Sequence, residues 1–79
     1  MVSREKVMAL IANALDVPKV SEDSSMENQS NWDSLNHLNI LIALEAATQG
    51  KAAEISELAQ ARNVREILDL LAHNSLLSD

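Results

Sequence analysis

The chain contains no cysteine, tyrosine or phenylalanine, and has one tryptophan, one glycine and one proline. Without cysteine there is no disulfide framework and no thiolate metal site, and no thiol redox chemistry resides on the chain. That usage suits a reducing compartment, so a cytoplasmic protein is expected. The longest uninterrupted apolar run, residues 7–12, is far short of the roughly 20 residues that cross a bilayer as a helix. The first residues lack the apolar block of a secretory signal, so the expectation is a soluble, unexported chain with no membrane span. Basic residues are scarce as well: six Lys and Arg stand against twelve Asp and Glu, for a formal net charge of −6. Recognition of a phosphate backbone needs clustered cations, and these are scattered, so nucleic acid is a poor partner. The two histidines, His37 and His73, show no ligand spacing to carboxylates, and no metal site is expected.

What is present is aliphatic. The 79 residues carry 12 Leu, 5 Ile and 5 Val, enough for a folded core in one domain, 1–79. A chain of this size buries only roughly 60 to 65% of its unfolded surface, so modest stability is expected. Val7, Leu10, Ile11, Ala14 and Leu15 recur at helical spacing and predict a first helix over Arg4–Leu15, with Ser3 as N-cap and Glu5 in the first turn. Asp16-Val17-Pro18 ends it, because proline disfavours helical geometry at the residue before it. Residues 19–32 are polar and aperiodic, which suggests a functional or crossover loop pinned by Val20, Met26 and Trp32. Trp32 reads as a half-buried anchor whose N–H needs a partner or water; contact with a partner protein is the alternative.

A second, central helix is predicted over residues 34–49, from Leu35, Leu38, Leu41, Ile42, Leu44, Ala46 and Ala47, with Gly50 as its left-handed cap and Lys51 beside the negative helix end. Residues 52–61 suggest one short helical turn or two around Ile55, Leu58 and Ala59. Asn63 with Glu66 resembles a capping box, and Val64, Ile67, Leu68 and Leu71 predict a last helix over Val64–His73. Beyond it, Leu76 and Leu77 either fray or pack back. No strand pattern occurs. The expected fold is therefore all-α, a small four-helix bundle of three longer helices and one short one, with a long loop between the first two.

Asp33-Ser34-Leu35 stands where the polar loop meets the central helix, so Ser34 lies in a first turn whose N–H groups lack intrahelical partners and carry partial positive charge. A phosphate is favoured there, although Asp and Ser at a helix start also serve simply as caps. His37 shares a helix face with Ser34, which raises a miniature Ser–His hydrolase as an alternative. Against it, adjacent helical residues point about 100° apart, and there is no Gly-rich elbow around Ser34. His37 is expected to be a solvated surface residue beside Asp33. Glu45, Glu54 and Glu57 read as a solvated face, and no catalytic residue is assigned.

The extended pattern Asp33-Ser34-Leu35, then Leu38, Leu41, Ile42 and Ala43-Leu44-Glu45, resembles the acyl carrier protein family. The resemblance covers most of the chain, from about Lys6 to Leu71, and the Asp-Ser-Leu of that family opens its second helix. It implies that the chain is not an enzyme. It implies instead a 4'-phosphopantetheine arm, attached to Ser34 through a phosphodiester by a phosphopantetheinyl transferase and holding an acyl group as a thioester. Acyl-loading and acyl-transferring enzymes are then the partners of a monomeric carrier in lipid metabolism, such as fatty acid biosynthesis.

Asp33, Leu35, Asn36, His37, Asn39 and Glu45 would form the partner-recognition face. Family members usually place several acidic residues on that helix and an aromatic near its end. Here Asn36, His37 and Asn39 occupy the face, and Ala46-Ala47-Thr48-Gln49-Gly50 replaces the aromatic stretch. A specialised carrier for one pathway is the expectation. An aminoacyl or peptidyl carrier, or an acidic helical interaction domain with no prosthetic group, are the alternatives.

Overall fold

The computed structural model describes residues 1–78. Helix α1 spans Arg4–Leu15, α2 Ser34–Ala47 and α3 Val64–His73, and two 3-10 helices, Lys51–Glu54 and Ser56–Gln60, lie between α2 and α3. Among the described residues there is no strand, only two isolated bridges, Val2 with Leu77 and Ser25 with Asn63. The fold is all-α.

Each α-helix begins at the cap its sequence supplies. Ser3 Oγ accepts the Lys6 N–H at 3.0 Å, Asp33 Oδ1 accepts the Asn36 N–H at 2.9 Å, and Asn63 Oδ1 accepts the Glu66 N–H at 2.8 Å. Each satisfies one donor that the first turn leaves without a partner. Glu66 completes its capping box one residue further out than usual, accepting the Arg62 N–H at 3.0 Å.

The short helical turns expected over 52–61 are two 3-10 helices, so the described residues form three α-helices and two short 3-10 helices where a four-helix bundle was expected. Ala52, Ile55, Leu58 and Ala61 are buried, at every third position. That is the 3-10 period, not the α period, so the chain lays one stripe on the core without forming an α-helix. The three α-helices add Val7, Ile11, Leu15, Ile40, Leu44, Val64, Ile67, Leu68 and Leu71 to the core, and Val2 and Trp32 join them from outside the helices. The tail does not fray over its described residues. Leu76 and Leu77 are buried, Val2 donates to the Leu76 carbonyl at 2.9 Å, and Ser78 donates to Val2 at 2.8 Å.

The helix ends differ from expectation at one place. Helix α2 stops at Ala47, two residues early, and the first left-handed residue is Gln49 (φ 54°), not Gly50 (φ 85°). Thr48 causes this: its hydroxyl donates to the Leu44 carbonyl at 2.7 Å and accepts the Ala52 N–H at 2.9 Å, so the next segment is tied in early. Gly50 N–H then returns to the Glu45 carbonyl at 2.8 Å, the long bond of a Schellman ending. Asp16 (φ 58°) and Ser75 (φ 61°) take the same left-handed place after α1 and α3.

Three non-glycine residues in that conformation carry a steric cost of order 1 kcal/mol each, which glycine would relieve. Gln49→Gly should therefore raise stability by about 0.5 to 1 kcal/mol in urea unfolding. Equal or lower stability would mean that the Gln49 side chain contributes more than its backbone strain removes.

Candidate functional site

Ser34 is the first residue of α2 and is exposed, and among the described residues no hydrogen bond engages its hydroxyl. The oxygen thus faces solvent beside the free N–H groups of the first turn, while Asp33 turns its carboxylate to the Asn36 N–H. Beside Ser34 opens a cavity of about 340 Å³, walled by Met26, Leu38 and Leu41 and by the segment Ala59 to Arg62. A second cavity of about 210 Å³ adjoins it at Leu41 and Ala59 and reaches Glu45.

His37 is not on the solvated surface. Its side chain lies under Ser34 on the inner side of α2, with the residue only 7% exposed, and it also lines the first cavity. Trp32 Nε1–H donates to His37 Nδ1 at 3.0 Å, and His37 Nε2 meets the Leu58 carbonyl at 2.9 Å. Indole N–H can only donate, so Nδ1 is the acceptor and Nε2 carries the proton that Leu58 accepts. The two rings stack, with centroids 6.1 Å apart and planes 20° from parallel. Trp32 is accordingly a fully buried residue, 2% exposed, and not a half-buried one; its N–H partner is His37. Neither Trp32 nor His37 is placed to meet a partner protein, and neither ring nitrogen of His37 remains for the Ser34 hydroxyl.

The inward turn of His37 sets the rest of α2. His37, Ile40, Leu44 and Thr48 face the core. Leu35 (69% exposed), Leu38 (52%) and Ile42 (56%) point out, as a stripe at i, i+3 and i+7. Leu35 is therefore a surface residue. Asn39 and Glu45 are exposed and Asn36 is partly so. Asn36 Nδ2 donates to the Asn31 carbonyl at 2.6 Å and its Oδ1 accepts from Asn39 at 3.2 Å, so the two amides brace the loop end.

Of the expected recognition residues, Asp33, Leu35, Asn39 and Glu45 share the exposed side with Ser34, and His37 does not. Composition masked the outer stripe, because α2 is apolar nearly all round. Leu35, Leu38 and Ile42 at helical spacing were its signal.

The loop side of the site is held by arginines. Arg62, which lines the first cavity, pairs with Glu27 at 2.7 Å, and Arg65 pairs with Asp23 at 3.2 Å and Glu22 at 3.6 Å. The hydrogen-bonded Arg62 guanidinium holds the Glu27 carboxyl below its ordinary range. That contribution is present at neutral pH and fades as the carboxylate protonates, and it is screened by salt because the pair is exposed. Backbone bonds back the ion pairs: Met26 N–H donates to Arg62 at 2.9 Å and Val64 N–H to Ser24 at 3.0 Å.

Comparison of the chain with protein-family models, with curated proteins and with solved structures finds no match. Among the described residues, no helix is long and apolar enough to cross a membrane.

Removing one member of a buried hydrogen bond strands the other, at a cost of about 1 to 3 kcal/mol. Trp32→Phe should lose that amount in urea unfolding, and Leu35→Ala should change stability by less than about 0.5 kcal/mol, as surface substitutions do. A larger loss for Leu35→Ala than for Trp32→Phe would mean that α2 is rotated, with Leu35 on its inner side.

Proposed function

We propose that the chain is a carrier protein whose Ser34 hydroxyl receives a 4'-phosphopantetheine arm and presents an attached acyl group to partner enzymes. The observation that carries this reading is the exposed, unbonded Ser34 hydroxyl at the start of a 14-residue helix, preceded by Asp33 and followed by the exposed Leu35. A phosphodiester on Ser34 fits that place. Its charge would lie against the first-turn N–H groups and the positive helix end, with no buried group to displace. Bound there, the arm supplies a terminal thiol for a thioester.

The residues of the chain have plainer tasks. Asp33 caps the helix and keeps the first turn rigid for the transferase. Leu35, Leu38 and Ile42 offer an apolar contact strip beside Ser34. Glu45 adds charge at the far end.

The face holds few acidic groups, so a specialised carrier is the form proposed, a cytoplasmic monomer serving one pathway, whose partners dock by apolar contact more than by charge. The all-α fold, with three α-helices and two short 3-10 helices before the last of them, supports this reading. The same exposed strip also favours a second reading, a helical interaction domain that uses α2 without any arm.

Incubation with coenzyme A and a phosphopantetheinyl transferase separates the two. One arm-sized mass addition is expected, mapping to Ser34 and absent from Ser34→Ala. No addition, or an addition that persists on Ser30 in Ser34→Ala, would overturn the carrier reading.

A further inference from the structure

The seam between α2 and the 3-10 segment is apolar at Leu41, Ala52, Ile55, Leu58 and Ala59, with Glu45 and Ser56 on the cavity beside it. Two buried polar links cross it: Thr48 to the Ala52 N–H at the end of α2, and His37 to the Leu58 carbonyl near Ser34. An apolar seam can part for an apolar chain, since the guest offers the separated side chains new neighbours at van der Waals distance. A hydrogen-bonded crossing cannot be replaced in that way. A hydrocarbon entering beneath Ser34 would have to displace the His37 ring, leaving the Trp32 N–H and the Leu58 carbonyl buried with nothing to bond.

The ring also lines the cavity that opens at Ser34, so it stands between that cavity and the core behind it. The outer cavity, about 340 Å³, lies at the small end of ligand pockets, and Gln60 and Arg62 give it a polar side.

We infer that the Trp32–His37–Leu58 link is a specificity determinant that bars the bundle interior to long apolar chains and confines cargo on Ser34 to short acyl groups in the outer cavity. The inference rests on the carrier reading for its cargo, but its test does not need the arm. Because the chain has no cysteine, Ser34→Cys introduces a unique thiol. Methanethiosulfonate reagents then attach an ethyl or a decyl chain there as a mixed disulfide, the thiolate displacing methanesulfinate. The readouts are the thermal midpoint and the emission of Trp32.

With the link intact, the decyl adduct should melt within about 2 °C of the ethyl adduct, and Trp32 emission should be the same in both. When His37→Leu is added, the decyl adduct should melt roughly 4 °C or more above its ethyl counterpart, because the interior is then open to it. Trp32→Phe removes only the indole half of the link and keeps the His37–Leu58 bond, so it should give a smaller rise in the same direction and supplies the comparison if His37→Leu does not fold. Loss of stability common to both adducts would cancel in the difference, so a merely structural role does not produce this result.

A decyl-dependent rise or a Trp32 emission shift with the link intact would overturn the inference. So would the absence of a rise in the folded variants. Failure of a transferase to use Ser34 would remove the carrier reading and leave these melting differences unchanged.

Discussion

The buried link from Trp32 through His37 to the Leu58 carbonyl joins the loop, α2 and the second 3-10 helix at one point. These elements make few other polar contacts with one another, and among the described residues His37 and Thr48 are the only buried polar side chains. Aliphatic cores tolerate many packings of similar energy. A polar link tolerates few, because a rotated α2 would leave the indole N–H and the Leu58 carbonyl unpaired. The link thereby fixes which side of α2 faces inward. With His37 inside, Leu35, Leu38 and Ile42 must lie outside, and Ser34 sits at the rim with its hydroxyl free.

Most of the helical plan was legible in the residues. Val7, Leu10, Ile11, Ala14 and Leu15 marked α1 to its end, and Asn63 with Glu66 marked the start of α3, because caps and stripes are local properties. The 3-10 segment was ambiguous at the α period. Its buried residues at 52, 55, 58 and 61 match a period of three, which is rarely tested because 3-10 runs are short.

His37 was misplaced for a different reason. A histidine near a polar helix start is ordinarily solvated, and its burial depends on Trp32, five residues earlier across a helix boundary, where no helical period relates the two. The clue was joint. Trp32 needed an acceptor, and His37 shares the inward spacing of Ile40 and Leu44. Leu35 belongs both to the apolar pattern of the central helix and to the expected recognition face, and because α2 is apolar on both sides only its packing against its neighbours puts Leu35 outside.

The loop owes its place less to its own sequence than to what it meets. Asn31 Nδ2 donates to the Leu15 carbonyl at 3.0 Å, Ser25 bridges Asn63, and three arginines reach its acidic residues. A polar stretch can thus be ordered by backbone pairing and exposed ion pairs while contributing little to the core. The consequence for the site is a rigid approach to Ser34 from the loop side and an open one from the side of Leu35 and Leu38.

The central claim, that this arrangement exists to hold a covalent arm at Ser34, is most directly tested by weighing the protein as its own cells make it. Intact-mass measurement followed by peptide mapping should find a phosphopantetheine-sized addition on the peptide containing Ser34, alone or with an acyl group. A native protein with Ser34 wholly unmodified, from cells whose other carrier proteins bear the arm, would contradict it.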